Sequence, residues 1–303
     1  MYDRVIAAAL GTPWAILPEK LQAIEVFLSR AGRGDTLTRE EIEAAKQKPR
    51  HQAKPPRGVG LIQVFGTITP RADWMSEWSG GTSAEAVGRA VDELAADPAA
   101  EAIVMEFDSP GGSVYGTEQL ALKVEAAAKQ KKVIAVVNSL AASAAYWVAS
   151  NASEIVVSPD GEVGSIGVYL MHRDVSKATD TRGEKVTYIK AGKNKTAGNP
   201  HEPLTADAAA ELQKGVDDYY DLFVRAVARG RNVSLTRVRE GFGQGGTVRA
   251  KEAVAEGMAD RIGTLDDVLG RYGLAAADIT PVAEAAQPDR FAAEIRRRRL
   301  ALG

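Results

Sequence analysis

The stretch VIAVVNSLAASAAYWVASNAS, Val133 to Ser153, carries no charged residue. Its front half, Val133-Ile-Ala-Val-Val137, is mostly β-branched, and its back half is alanine-rich. β-Branched residues suit a strand and alanine suits a helix. The stretch therefore predicts a buried strand, a turn and a buried helix. It is long enough to span a bilayer. However, Asn138, Ser139, Ser143, Ser150 and Asn151 interrupt it, so the expectation is a soluble protein. Ser143 stands at the turn. A hydroxyl there either bonds locally within an apolar element, as most buried hydroxyls do, or serves as a nucleophile.

Working outward, apolar runs recur at 60–66, 102–107, 154–158, 164–170 and 185–190. Between them, helical patterns cover 82 to about 96, 117–130 and 143–152. Thr82 to Glu85 reads as a capping box at the first of these. Strands alternating with helices imply right-handed crossovers and a largely parallel sheet. Beyond Pro200 the pattern turns helical. One long helix is expected from Thr205 to about Arg229 and another from Ser234 to Gly241. A helix, a short strand at 258–262 and a last helix then fill 250–273. Gly241 to Gly246 matches G-x-G-x-x-G, but it follows a helix and opens no βαβ unit, so it reads as a loop and not a dinucleotide site.

Four segments result. Residues 1–46 read as a helical N-terminal extension, and 47–57 as a basic linker. Residues 58–275 form the main domain, and 276–303 a flexible tail ending in Arg296 to Arg299. The N-terminus does not read as a signal peptide, because Asp3 and Arg4 precede only a short apolar run.

Composition removes several chemistries. The chain has 303 residues, is 45% hydrophobic and has a net charge of −2, so no global field favours nucleic acid or a membrane surface. It has no cysteine. A thiol nucleophile, a disulfide framework and a zinc-thiolate site are therefore excluded. Its three histidines, His51, His172 and His201, show no metal-ligand spacing. No G-x-S-x-G elbow is present. Neither a metal nor a cofactor is expected.

Three small-residue turns follow strands: Ser109-Pro-Gly-Gly112, Ala141-Ala-Ser-Ala-Ala145 and Gly164-Ser-Ile-Gly167. In parallel sheets, sites collect at the carboxyl ends of strands. Gly111 and Gly112 would let a substrate carbonyl approach their amides. Ser143 and Ala144, at a helix start, would offer free amides at the positive end of the helix dipole. Two donors converging on one oxygen would form an oxyanion hole. A base is missing. The remaining route for a serine nucleophile is a neutral lysine, and Lys190, Lys193 and Lys195 crowd one turn. Read by itself, each of these is a surface charge.

The segment from about Gly60 to Val268 resembles the signal peptide peptidase A family of serine proteases. The resemblance rests on Phe-Asp-Ser-Pro-Gly-Gly (107–112), Ala-Ala-Ser-Ala-Ala-Tyr (141–146), Gly-Ser-Ile-Gly-Val (164–168) and Ala-Gly-Lys-Asn-Lys-Thr-Ala (191–197). It implies an α/β fold of the Clp-protease/crotonase-like type with a parallel sheet and crossover helices. It also implies a Ser–Lys dyad: Ser143 as nucleophile and Lys195, desolvated by burial, as base. Gly112 and Ala144 would form the oxyanion hole, supported by Gly111, and Ser165 would orient the lysine amine. Lys193 is expected to be exposed.

Within the family the chain is most similar to phage head-maturation proteases of the minor capsid protein C type. That implies scaffold, portal or capsid proteins as substrates, homo-oligomers, no membrane anchor, and a place in the bacterial cytoplasm or prohead. Self-cleavage near 46–57 or in the tail is a further implication. Ala144 and Asp108 depart from the glycine and asparagine common in relatives. Two other readings stand beside this one. One is a crotonase-type acyl-CoA enzyme using Asp108; the other is a non-catalytic assembly scaffold.

Overall fold

The computed structural model describes residues 13–32, 58–71, 81–279 and 281–282. The basic linker and the arginine-rich terminus lie outside them. The chain opens with β1 (Trp14–Ile16) and α1 (Pro18–Gly32), then β2 (Gly58–Phe65), β3 (Ile68–Thr69) and β4 (Thr82–Ser83). Next come α2 (Ala84–Ala96), β5 (Ala100–Ser109), β6 (Gly111–Ser113), α3 (Thr117–Ala128) and β7 (Lys132–Ala142). Then follow α4 (Ala144–Ala149), β8 (Glu154–Val157), β9 (Glu162–Gly164) and α5 (Ser176–Thr181). The C-terminal part holds α6 (Ala206–Arg231), α7 (Leu235–Glu240), β10 (Thr247–Arg249), α8 (Ala250–Glu256), β11 (Arg261–Ile262) and α9 (Leu265–Gly270).

The main sheet has seven strands among the described residues. Strands β2, β5, β7 and β8 run parallel, and β7 divides its length between two neighbours. Its first half pairs with β8 and its last residues, Leu140–Ala142, with β9. This split lets the strand leave the sheet at Ser143 with β9 still beside it.

Both faces of the sheet are covered, which is why the strands read as unbroken apolar runs. One face, with Ile103, Met105, Phe107, Ala135 and Val137, packs under α2, α3, α4 and α6. The other, with Val59, Leu61, Val104, Ile134 and Val136, is closed by Val268 and Leu269 of α9 and by Ile279. Trp147 of α4 stacks on Phe223 of α6 with ring centroids 4.5 Å apart. That contact anchors the long helix on the short one behind Ser143. No described helix is long and apolar enough to cross a membrane.

Several expectations need correction. Residues 14–16 are a strand, not helix, and they are hydrogen-bonded into the body of the fold. Pro18 opens α1, and the residue before a proline is pushed out of helical geometry, so Leu17 separates the strand from that helix. The strand expected at 164–170 ends at Gly164; beyond it only Tyr169 bridges to Trp14. The strand expected at 185–190 is absent, because that segment finds no neighbouring strand and lies open, with Ile189 fully exposed. Ser83, rather than Thr82, caps α2 by accepting from the Ala86 amide. The body of the fold extends past 275, since Ile279 is buried and the Val282 amide donates to the Leu61 carbonyl.

Candidate active site

Ser143 sits where β7 ends and α4 begins, with φ 56° and ψ −120°. A non-glycine residue there is strained, at a cost of about 1–3 kcal/mol. Two hydrogen bonds hold it. Its amide donates to the Gly164 carbonyl at 2.7 Å, and its carbonyl accepts from Trp147 at 2.9 Å. Ala141 and Ala145, two residues to either side, are fully buried and small enough to let the chain turn sharply. The result is a strand–turn–helix elbow of the kind that presents a nucleophilic serine, built with alanines in place of the usual glycines. The side chain caps no helix amide. The expectation of a free Ser143 amide is corrected, because Gly164 takes it. Ala144, the first helical residue, keeps an amide with no intrahelical acceptor.

The turn 109–112 lies against this elbow. The Ser109 hydroxyl donates to the Gly66 carbonyl at 2.7 Å and accepts from the Gly111 amide at 3.2 Å. Gly111 has φ +99°, and a Cβ on it would lie 2.9 Å from the Ser143 Cβ and 2.3 Å from the Ala15 oxygen. On Gly112 a Cβ would meet the Ile68 carbonyl oxygen at 1.9 Å. Both positions therefore require glycine, and Gly111 brings backbone against Ser143.

Strand β1 also lies here. Its register against β6 pairs Trp14 with Ser113, Ala15 with Gly112 and Ile16 with Gly111. On its other side, Trp14 exchanges backbone hydrogen bonds with Tyr169, at 2.9 and 3.1 Å. Nothing in the residue pattern of 14–16 marks it as part of the site. The nearest local signal, the extended bias imposed by Pro18, falls on Leu17, just after the strand.

The lysine side is open. Lys195 is exposed, and no hydrogen bond joins it to Ser165 among the described residues. The burial expected for Lys195 and its predicted bond to Ser165 are therefore not features of the single chain. The physical reason is the missing strand at 185–190, which leaves the following turn without a partner surface. Lys193 is exposed as expected and pairs with Asp207 at 3.3 Å. Lys190 donates to the Thr196 hydroxyl at 2.9 Å.

Ser165 is buried behind the elbow with φ 52°, and its amide donates to the Gly246 carbonyl at 2.7 Å. The glycine-rich loop 241–246 thus props the turn that in turn holds Ser143. Asp108, the carboxylate required by an acyl-CoA reading, is exposed and accepts from the Ser139 hydroxyl at 2.5 Å. Behind the elbow, the Tyr146 hydroxyl donates to the Met258 carbonyl at 2.9 Å, and burial pushes its pKa well above the ordinary phenol value.

Residues 125–277 match the model of peptidase family S49, and the chain belongs to that family. It is 36% identical over 179 residues to protein MJ0651 of Methanocaldococcus jannaschii, covering 59% of this chain and 57% of that one. It is 28% identical over 252 residues to capsid assembly protease C of Escherichia phage lambda, covering 80% of this chain and 56% of the phage protein. The chain thus spans little more than half the length of these relatives. Among solved structures, it is similar to a ClpP1 variant from Listeria monocytogenes, with a TM-score of 0.42 and 15% identity over 69% of this chain and 94% of that one.

Proposed function

We propose that this chain is a serine endopeptidase in which Ser143 attacks a peptide carbonyl and Lys195 accepts its proton. The observation that carries this reading is the strained elbow at Ser143. Strain of this kind persists where surrounding structure over-determines it, and it collects at functional sites. Here the elbow is clamped by Gly164 and Trp147 and faces the Gly111–Gly112 turn.

In the proposed reaction the Ser143 oxygen bonds to the carbonyl carbon as its proton passes to the Lys195 amine. The Gly112 and Ala144 amides hold the oxyanion. The amine then leaves with the lysine's proton, and water clears the acyl-enzyme. Lys195 must lose water to be a base near neutral pH. The single chain leaves the 185–195 segment exposed, with Val186 and Ile189 uncovered. A second copy covering that segment would desolvate the lysine, so the active form is proposed to be a homo-oligomer. Similarity to a phage capsid assembly protease supports scaffold, portal or capsid proteins as substrates, cleaved in a prohead within the bacterial cytoplasm.

A fluorophosphonate probe with peptide mapping tests the centre of this reading. A single adduct on Ser143 that is lost in Lys195→Ala supports the dyad. A folded, assembled protein that takes no adduct overturns it.

A further inference from the structure

Strand β1 lies against the turn that packs on Ser143. We infer that residues Trp14–Leu17 are a built-in occupant of the peptide groove and must peel away before the site can take a substrate; this rests on Ser143 being the nucleophile.

Backbone geometry carries the argument. In an antiparallel pair, hydrogen-bonded and non-bonded partners alternate. Trp14 spends its amide and carbonyl on Tyr169, away from β6, and the Leu17 amide donates to the Pro110 carbonyl at 3.0 Å. Ala15, between them and opposite Gly112, is therefore the residue whose amide and carbonyl face β6. The Gly112 amide, assigned above to the oxyanion, is thus directed at the Ala15 carbonyl. The same oxygen crowds the Cβ position of Gly111, as does the Cβ of Ser143. Ala15 is buried to 1% exposure. A substrate carbonyl offered to Ser143 would need the place that Ala15 now fills.

Ala15 joins the main core, but its neighbours are fastened apart from it. Trp14, Ile16 and Leu21 form their own buried cluster with Ile24 and Tyr169. Glu25 of α1 pairs with Arg173 at 2.5 Å. Strand and helix can therefore leave together, exposing the edge of β6 and the backbone of Tyr169, which now hold one extended chain between them. An extended peptide binds such edges through its main chain. Leader and substrate would make the same bonds and so exclude each other.

A reversible lock tests this. Trp14 and Tyr169 form a hydrogen-bonded antiparallel pair, whose Cα spacing of about 5.5 Å suits a disulfide. The chain has no other cysteine, so the Trp14→Cys/Tyr169→Cys variant can form one bridge only. The oxidised protein is expected to label at Ser143 with a fluorophosphonate, and to hydrolyse an unfolded protein substrate, at least about tenfold more slowly than the reduced one, because the competent fraction is removed. Dithiothreitol should restore both. Ile16→Asp, which weakens the small cluster, should label faster than the parent. If no bridge forms, or if the bridged and reduced proteins label equally while Ile16→Asp matches the parent, the occupancy is wrong and the peptidase reading stands. If the bridge forms but Ser143 stays inert in every variant and redox state, the peptidase reading fails and this inference falls with it.

Discussion

The Gly164 carbonyl accepts the Ser143 amide at 2.7 Å, and the next residue, Ser165, donates its own amide to Gly246 at the same distance. Two positive-φ serines are therefore tied in series, the first to the turn and the second to the loop behind it. Strain at the first is supported by the second. Replacing Ser143 with glycine removes the side-chain cost of that backbone, whereas alanine retains it. Ser143→Gly is expected to be about 1 kcal/mol more stable than Ser143→Ala, and both should lose labelling. Urea unfolding of the pair checks this, and equal midpoints would mean the elbow is unstrained.

Gly111 and Gly112 are expected to be intolerant of any side chain, for different reasons. At Gly111 the positive φ and the Ala15 and Ser143 contacts oppose a Cβ; at Gly112 the Ile68 backbone does. Gly112→Ala must shift β3 or β6 and is expected to cost about 1–3 kcal/mol. Gly111→Ala should instead displace β1 or the elbow. Comparing thermal midpoints with Ser143 labelling rates separates the two: Gly112→Ala lowers both, whereas Gly111→Ala lowers labelling more than its stability loss explains.

Much of this was legible in the sequence. The charge-free run 133–153 revealed strand, turn and helix because a strand buried on both faces has no polar alternation to confuse it. The turns at 109–112 and 164–167 are legible because glycine and proline mark backbone geometry directly. Hidden features depended on partners distant in the chain. Trp14-Ala-Ile16 contains no periodic pattern in three residues, and its pairing with residues about a hundred positions away has no local signature. Residues 185–190 carry good strand composition, yet composition cannot supply the neighbouring strand that would pair with them. Burial of Lys195 depends on that same pairing, so the single chain leaves it exposed for the same cause.

The two lysines of the 193–195 turn make a paired test. Lys195→Arg keeps the charge but offers no neutral amine. Peptide hydrolysis is expected to fall about 100- to 10,000-fold, the range for removing a general base, with the fold intact by circular dichroism. Lys193 only holds an exposed pair with Asp207, and surface pairs contribute little, so Lys193→Arg should be nearly silent. Equal losses in both would reassign the base.

Asp260 supplies a stability prediction away from the site. Burial alone would raise its carboxyl pKa, but the Arg231 guanidinium and the Ile155 amide outweigh that and hold it below the usual carboxylate range. Arg231 bonds both carboxylate oxygens, at 2.8 and 3.1 Å, and the Ile155 amide donates at 2.7 Å. These contacts tie the end of α6 and the start of β11 to the start of β8. A carboxylate with a depressed folded pKa stabilises the fold above its unfolded value, and that contribution fades as pH falls through the folded one. Asp260→Asn is therefore expected to lose about 1–3 kcal/mol at pH 7, with the gap to the parent closing below about pH 4. Urea midpoints for both proteins across that interval decide it. A gap that stays constant with pH would place the loss in packing and not in the ion pair.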